Sequence, residues 1–577
     1  MNKPSRTDEL VDHPEYNQSP RHFSNDLVTR EDLIGNVNSR RHRARRLDHE
    51  EMDGIQESPP YELVTVHGKE KDEHSLPRNG AASTGGVSAA GSHEILSITS
   101  SDSPINRRGS WVTRAYQRTI EVLAKFLSFV GPGMMVSVAY IDPGNYATDV
   151  AAGATYRFKL LVMVMVSNIF AIFLQSLCIK MGSVTGLNLA EMIKANCPRW
   201  LNITLYILGE AAIIATDIAE VIGTAIALNL LFHIPLVAGC AISIADVLFI
   251  LLFYHPNGSM RGLRAFEFFV ALLVLGVVVC FCFQLSLIQN TSVGEVFRGY
   301  LPSRAIIESQ GLYQSCGILG ATVMPHSLYL GSGIVQSRLK DFDEKNNTGH
   351  APPSQGDDDI EQKYQPSIVA VRSCMKYSII ELAISLFIFA LFVNSAILIV
   401  AGASLSGTSA ADADLFGIHD LLSRELASVA GTIFALALLL SGISAGIVCT
   451  IAGQMISEGQ LSWSVKPWVR RLMTRSISIT PSIIIAGAVG RDGLSTALEA
   501  SQVALSVILP FVSAPLLYFT CRNKFMTMTS RTEDDSGDSQ TVKMKNNWFT
   551  TACAIVIWGL IVIMNVALLV LLGLGVN

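Results

Sequence analysis

The chain has few charged residues for its length. Only 16% of its 577 residues are Asp, Glu, Lys or Arg, whereas 50% are hydrophobic, and the mean hydropathy is +0.38. Soluble domains carry about 25% charged residues. The formal net charge of −5 says little about partners, because the charges crowd into roughly the first hundred residues and into the loops between apolar segments. The composition therefore predicts a membrane protein, and we expect no nucleic-acid partner.

Motifs for catalysis and for structural metal sites are also missing. There is no Gly-rich nucleotide loop, no nucleophile motif, and no cluster of carboxylates or histidines typical of a metalloenzyme. The ten cysteines are scattered rather than paired as in a zinc ribbon or a disulfide framework. We therefore predict that the protein is not an enzyme, does not use ATP to pump, and has no prosthetic group. Without an apolar stretch near Met1, we expect no cleaved signal peptide.

Eleven apolar segments approach or exceed the roughly 20 helical residues that cross a bilayer. We call them the first to eleventh spans, in chain order. They lie near Phe126–Ala151, Leu160–Lys180, Trp200–Ile222, Leu236–Tyr254, Phe266–Leu287, Gly311–Val335, Ile379–Gly402, Val429–Ile456, Ile477–Val489, Gln502–Phe519 and Trp548–Leu574.

The segment before these spans has a different composition. Residues 1–117 are rich in Ser, Asn, Arg, Asp and Glu and poor in aromatics, which predicts a disordered tail. If Met1 is cytosolic, the inner loops hold about twenty Lys and Arg against about six outside, as the positive-inside rule expects. A basophilic kinase pattern, Arg107-Arg-Gly-Ser110, and lysines such as Lys3 make a kinase or a ubiquitin-ligase adaptor candidate partners of the tail.

Two spans are interrupted at corresponding places. In the first span the sequence Asp142-Pro-Gly-Asn145 falls inside an otherwise apolar run. Pro143 lacks the amide hydrogen that a helical turn needs, and Gly144 tolerates unwound dihedral angles. In the sixth span Pro325 makes a second interruption. Breaks in corresponding helices of two halves indicate an inverted repeat with a binding site near the bilayer midplane.

The residues at the breaks indicate what binds there. A carboxylate such as Asp142 costs several kcal/mol in hydrocarbon unless a cation or a proton meets it. Asn145 offers an amide oxygen, and unwinding frees carbonyls such as that of Ala321. Oxygen ligands alone would suit Na⁺, Ca²⁺ or Mg²⁺, but the thioether of Met324 favours a transition metal such as Mn²⁺ or Fe²⁺.

Asp-Pro-Gly-Asn (142–145) and Met-Pro-His (324–326) resemble the paired signatures of the Nramp family of proton-coupled divalent-metal transporters. The flanking residues are most similar to the fungal Smf branch, and the resemblance extends from about Lys125 to Phe519. It implies that Asp142, Asn145, Met324 and the Ala321 carbonyl contact the metal. It also implies that Gln502, in the tenth span, joins the coordination in some states.

The resemblance further implies an all-α, LeuT-like fold that alternates access to the central site. Its ten-helix core would span residues 118–521, as inverted halves at about 124–288 and 311–521. A cytosolic loop (522–547) and an eleventh transmembrane helix (548–577) would follow. Two positions depart from the family pattern: Ser327 stands where many relatives outside fungi have Asn, and Ile443 stands where Gln is commoner.

Three acids in the third span suggest a route for protons. Glu210, Asp217 and Glu220 are seven and three residues apart, which places them on one stripe of a helix. Such a stripe must face the protein interior rather than lipid. Arg475, in the ninth span, is a candidate counter-charge, and the resemblance pairs it with these acids. His326, two residues beyond Met324, could exchange protons near neutral pH, although Asp142 itself remains an alternative acceptor.

We therefore predict proton-coupled symport of Mn²⁺, and of Fe²⁺, Co²⁺, Zn²⁺ or Cd²⁺, into the cytosol. Two alternatives remain: a metal sensor with an Nramp-like membrane part, and a Na⁺-coupled carrier of an organic solute. The sequence leaves open which metal is physiological and whether the protein lies in the plasma membrane or in an endosomal, vacuolar or Golgi membrane.

Overall fold

The apolar segments of the sequence fold as helices, because a helix satisfies its own backbone hydrogen bonds where no water is available. A computed structural model describes residues 132–243, 260–288, 291–346, 364–405, 414–462, 466–530 and 540–575. The proposed tail (1–117) with its kinase and ubiquitin patterns, the start of the first span and the end of the fourth lie outside the described residues.

Within these residues, eight helices are long and apolar enough to cross a membrane, and a shorter apolar helix covers Leu472–Ala488 in the ninth span. The fourth span is described only over 236–243. The uninterrupted spans are Leu161–Thr185 (second), Arg199–Phe232 (third), Met260–Leu287 (fifth), Ser428–Leu461 (eighth), Pro467–Ala488 (ninth), Arg491–Thr520 (tenth) and Trp548–Gly573 (eleventh).

The seventh span joins Ile368–Ser385 to Leu391–Ser404 through a π-helical turn at Leu386–Ala390. Shorter helical pieces connect the spans. They are Leu189–Asn196, Val293–Arg298, Arg304–Ile307, Leu415–Leu421 and Leu422–Leu426.

The first and sixth spans are interrupted where the sequence predicts. The first consists of Pro132–Val138 and Pro143–Tyr156, and the sixth of Ser309–Thr322 and Pro325–Asn346. In each case the second half begins at a proline, whose missing amide hydrogen is not needed at a helix start. Both predicted breaks, at Pro143 and Pro325, are therefore confirmed.

Small residues let the interrupted helices approach their neighbours closely. A Cβ atom added at Gly182, in the second span, would overlap the backbone of Ser332 in the sixth, and one added at Gly320 would overlap the backbone of Gln502 in the tenth. Helices in lipid associate through such packing rather than through a hydrophobic driving force. These contacts hold the second and tenth spans against the sixth, next to its break.

The eleventh span lies at the edge of the bundle. One stripe of it (Ala554, Ile561, Asn565 and Leu568) is buried, whereas Ile555, Val556, Ile563, Val566 and Val570 are each more than half exposed. Exposed apolar side chains along a spanning helix are expected to face lipid. The indole Nε1 of Trp558 donates to the Pro510 carbonyl at 2.9 Å and ties this helix to the tenth span.

The segment between the tenth and eleventh spans contains regular structure that the sequence analysis missed. Thr527–Ser530 and Gln540–Lys543 pair as an antiparallel two-stranded sheet, with Thr527 opposite Lys543. The sequence predicts only a loop at 522–547. Short strands of polar and β-branched residues give a weak sequence signal, so their pairing was not evident.

Candidate functional site

The break in the first span is organised by Asp142. Its side chain caps the helix that starts at Pro143: Oδ1 accepts hydrogen bonds from the backbone N–H of Asn145 at 2.9 Å and from Asn145 Nδ2 at 2.7 Å. Aspartate is a preferred helix cap because it satisfies free amide groups of the first turn. These hydrogen bonds hold the Asp142 and Asn145 side chains next to each other at the break.

Carbonyls freed by the unwinding find donors on other spans. Asn394 Nδ2, in the seventh span, donates to the Tyr140 carbonyl at 3.0 Å, and Ser441 Oγ, in the eighth, donates to the Ile141 carbonyl at 2.6 Å. Unpaired backbone groups in a membrane interior cost several kcal/mol each. These side chains therefore stabilise the break against closure into a continuous helix.

The break in the sixth span lies beside the first. The carbonyl of Ala321 accepts a hydrogen bond from Asn145 Nδ2 at 3.2 Å. Two residues later Val323 departs from helical dihedral angles (φ −102°, ψ 71°), and the fully buried Met324 follows it. The structure thus joins Asp142, Asn145 and Ala321 through hydrogen bonds and places Met324 three residues along the chain from the Ala321 carbonyl.

Gln502 of the tenth span belongs to the same region. A Cβ atom added at Gly144 would overlap the Gln502 amide, so this glycine leaves room for that side chain against the first break. A Cβ atom added at Gly320 of the sixth span would likewise overlap the Gln502 backbone carbonyl. Gln502 Nε2 donates to Ser501 Oγ at 2.9 Å, which leaves the amide oxygen for another partner.

Several oxygen atoms here are buried and accept no hydrogen bond from any residue that the structure describes. They include Asp142 Oδ2, Gln502 Oε1 and Asn394 Oδ1. Buried polar groups are normally hydrogen-bonded, so such exceptions need an explanation. All three atoms are acceptors, and the Met324 thioether is a further electron-pair donor. One cation could bind all of these electron-pair donors, whereas one additional hydrogen-bond donor would pair with only one of them.

Asn394 is a site residue that the sequence analysis missed. Its Nδ2 also donates to Asn145 Oδ1 at 3.3 Å, which links the seventh span to the first break. The available signal was an amide inside the apolar run Leu391-Phe-Val-Asn394, because polar side chains within membrane helices usually face the protein interior.

Ser327, one of the two departures from the family pattern, takes part in a polar cluster beside the site. Gln175 Nε2, in the second span, donates to the Tyr140 hydroxyl at 2.8 Å and to Ser327 Oγ at 3.0 Å. The Ser327 and Tyr140 hydroxyl oxygens are 3.1 Å apart. The serine therefore bridges the two interrupted spans. Ile443, the other departure, packs partly buried against the apolar core.

The third-span acids divide into two groups. Arg475 Nη1 lies 2.9 Å from Glu220 Oε2 and 3.5 Å from Asp217 Oδ1, and all three side chains are fully buried. The expected pairing of Arg475 with Asp217 and Glu220 is confirmed. Glu210 instead contacts Arg470 Nη2 at 2.5 Å, because it lies about two turns before Asp217, nearer the start of the helix. Arg475 is therefore not the partner of Glu210.

His326 connects the metal-site region to the third span. It is buried, and its Nδ1 lies 3.4 Å from Thr216 Oγ1. Thr216 precedes Asp217 in the chain, so the imidazole reaches the third span beside the first acid of the paired group.

A second set of residues has the geometry of a metal site. Ligand atoms of Asp217, Glu220 and Cys449 lie within 4.8 Å of one another and are buried. The Arg475 guanidinium, however, already contacts both carboxylates. A dication would meet this fixed positive charge, so we favour the helix breaks as the metal site.

Comparison with known proteins agrees with this arrangement. The sequence matches the family model described as "Natural resistance-associated macrophage protein-like" (Nramp) over residues 133–571. The chain belongs to the Nramp family. The match includes both helix breaks and the third-span acids. Nramp proteins are multi-pass membrane metal transporters and not enzymes, as the sequence analysis predicted.

Curated Nramp relatives from yeast align over most of the chain. The chain is 49% identical to the manganese transporter SMF1 of Saccharomyces cerevisiae over 84% of this chain and 92% of that protein. It is 48% identical to the iron transporter SMF3 of the same organism, over 79% and 98%. These relatives confirm the resemblance to the fungal Smf branch.

A solved Nramp structure supports the fold. A crystal structure of the Eremococcus coleocola manganese transporter, bound to an aromatic bis-isothiourea compound, superposes with a TM-score of 0.63. It is 31% identical in sequence, and the superposition covers 77% of this chain and 86% of that one. The all-α, LeuT-like fold with two interrupted helices is thereby confirmed.

Proposed function

We propose that this Nramp protein imports Mn²⁺ and related divalent ions into the cytosol, by alternating access and together with protons. The observation that carries the proposal is the set of electron-pair donors at the two breaks. A carboxylate oxygen of Asp142 and the amide oxygens of Gln502 and Asn394 accept no hydrogen bond within the described residues, and the Met324 thioether is buried beside Pro325. Yeast relatives described as manganese and iron transporters support the choice of metals.

In this proposal the metal binds between the broken helices. Asp142 supplies the charge, Asn145, Gln502 and the Ala321 carbonyl supply oxygen ligands, and Met324 supplies sulfur. Asn145 Nδ2 now donates to Asp142 and to Ala321, so a rotation of its amide would turn its oxygen toward an ion. The thioether disfavours Ca²⁺ and Mg²⁺, which prefer oxygen.

The proton would leave the metal site through His326. The imidazole contacts Thr216, which adjoins Asp217, and Asp217 shares Arg475 with Glu220. Metal arriving at Asp142 repels a proton held there or on His326, and the acids of the third span accept it. Glu210, paired with Arg470, would act later on the route. This order couples metal entry to proton movement, with Met1 on the cytosolic side.

Uptake into proteoliposomes tests the metal site. Asp142→Asn keeps the size and the helix cap but removes the charge, so we expect Mn²⁺ uptake and tight Mn²⁺ binding to be lost. Glu458→Gln is the matched control, because this acid is exposed and contacts Gln454 on its own helix. Wild-type uptake by Asp142→Asn would contradict the proposal. Metal binding without flux in the wild type would indicate a sensor instead.

The proton route needs a separate measurement. In the same vesicles, a pH-sensitive dye reports acidification driven by Mn²⁺. We expect Asp217→Asn to transport Mn²⁺ with much less acidification, because the carboxylate beside His326 is gone. Glu458→Gln again serves as the control. Acidification equal to the wild type would remove Asp217 from the route while leaving the metal site intact.

A further inference from the structure

A second buried carboxylate lies on the same helix as the metal site. Asp149, in the first span, is fully buried, and neither of its oxygens has a hydrogen-bond partner within the described residues. None of the ion pairs found there includes it. An unpaired carboxylate in such surroundings is costly, and intramembrane acids commonly mark ion pathways. Neither the metal ligands nor the proton route proposed above accounts for Asp149.

Asp149 lies on the face of the first-span helix that packs against the seventh span. Asn145, Asp149 and Gly153 are four residues apart and therefore share one stripe. Asn145 accepts a hydrogen bond from Asn394, and a Cβ atom added at Gly153 would lie 2.7 Å from the Leu398 carbonyl. Asp149 thus faces the segment between these two seventh-span residues.

One hydroxyl group lies in that segment. Ser395, next to Asn394, is buried, and within the described residues its Oγ has no hydrogen-bond partner. The Tyr300 side chain, in the connection before the sixth span, packs against the apolar cluster that contains Ala152 of the first span and Leu398 of the seventh. Burial raises the pKa of Tyr300, and the nearby charge of Asp149 raises it further. A carboxylate and two hydroxyls, with no sulfur among them, therefore lie in one region where the first and seventh spans meet.

We propose that Asp149, with the hydroxyls of Ser395 and Tyr300, forms a second position for the divalent cation, which the ion occupies before it reaches Asp142. This inference rests on the proposed transport function and its orientation, in which the helix after the break leads outward. Seven residues separate the two acids, about 10 Å along a helix axis.

The two positions differ in their chemistry. Oxygen ligands do not distinguish Mn²⁺ from Ca²⁺ by softness, whereas the Met324 thioether does. The outer position, at Asp149, would therefore bind any dication, and the inner position, at Asp142 and Met324, would select among them. Two dications this close repel each other, so the positions fill in succession rather than together. Movement of the outer half-helix away from the seventh span would hydrate Asp149 and open the position.

Equilibrium binding of Mn²⁺ to the purified full-length protein, followed by electron paramagnetic resonance, tests the inference. Asp142→Asn should lose the tight site but keep a weaker one, and Asp142→Asn/Asp149→Asn should lose both. Equal weak binding by the single and double variants would overturn the inference. Tight binding by Asp142→Asn at the wild-type level would instead overturn the proposed function, so the two failures are distinguishable.

Uptake kinetics give an independent readout. Asp149→Asn should raise the KM for Mn²⁺ several-fold and leave both Vmax at saturation and the discrimination against Ca²⁺ unchanged, because the selecting site is intact. Asp149→Glu should restore much of the lost affinity. Thr155→Ser, which keeps the hydroxyl that donates to the Ala151 carbonyl at 2.8 Å and accepts from Gln314 Nε2 at 3.1 Å, is the control on the same helix. A wild-type KM in Asp149→Asn would also overturn the inference.

Discussion

Two groups of buried carboxylates in this protein have opposite surroundings. Asp217 and Glu220 share the guanidinium of Arg475, whereas Asp142 has one oxygen, and Asp149 both oxygens, without a hydrogen-bond partner in the part of the chain that the structure describes. A fixed counter-charge makes a buried acid part of the structure, and it excludes a mobile dication from the same place. A buried acid without a fixed counter-charge can bind a transported cation reversibly. The difference separates acids that a fixed positive charge neutralises from acids that are available to bind the metal.

Removal of the fixed counter-charge should have the largest effect on stability. Arg475→Met removes the positive charge that contacts two buried carboxylates, and breaking such a pair typically costs about 3–5 kcal/mol. We therefore expect a large fall in the free energy of unfolding, seen as a lower thermal midpoint in detergent. Adding Asp217→Asn and Glu220→Gln to the same chain should restore most of the loss, since no unpaired charge then remains.

Asp142→Asn provides the contrasting half of this experiment. Because no cation of the protein neutralises Asp142, its removal should leave the thermal midpoint unchanged or raise it. Arg372→Gln, at an exposed arginine of the seventh span, controls for the loss of a positive charge. If Arg475→Met were as stable as the wild type, or Asp142→Asn strongly destabilised, the distinction between structural and cargo-binding acids would fail.

A change of selectivity is the next effect in size. Met324→Ala removes the sulfur but leaves the oxygen ligands, so we expect Ca²⁺ to compete with Mn²⁺ about tenfold better or more. Competition for radioactive Mn²⁺ uptake into vesicles measures this ratio. Met324→Leu, which keeps the apolar volume, separates the loss of sulfur from the creation of a cavity. Unchanged Ca²⁺ competition in both variants would show that the thioether does not select the metal.

The smallest expected effect comes from crowding one ligand. The methyl group of Gly144→Ala would overlap the Gln502 amide, so that side chain must move away from the break. We expect a KM for Mn²⁺ that is a few-fold higher, with folding retained. Gly559→Ala, in the eleventh span, is the matched control because a Cβ atom there meets nothing within 4 Å. Equal KM values in the two variants would argue that Gln502 is not a ligand.

Much of the site was predictable because its signals are local. Asp-Pro-Gly-Asn and Met-Pro-His each combine a helix breaker with a metal ligand inside an apolar run. Each motif therefore predicts both a helix break and a ligand at that break. The need to neutralise acids inside a membrane made Arg475 a candidate counter-charge, and the resemblance to the Nramp family paired it with the third-span acids.

The remaining features depend on tertiary contacts that the sequence does not encode locally. Nothing in the seventh span says which of its faces meets Asn145, so the role of Asn394 was not evident. For the same reason the sequence did not show that Glu210 pairs with Arg470, or that Asp149 lacks a hydrogen-bond partner among the described residues. Helical periodicity gives the stripe on which a residue lies, whereas packing decides what that stripe contacts.

The central claim is that Mn²⁺ binds between the two broken helices, and anomalous X-ray scattering from crystals soaked in Mn²⁺ tests it most directly. We predict the strongest anomalous peak beside Asp142, within coordination distance of Met324, and its loss in crystals of Asp142→Asn. A strongest peak at the rival cluster of Asp217, Glu220 and Cys449, with none beside Asp142, would contradict the account.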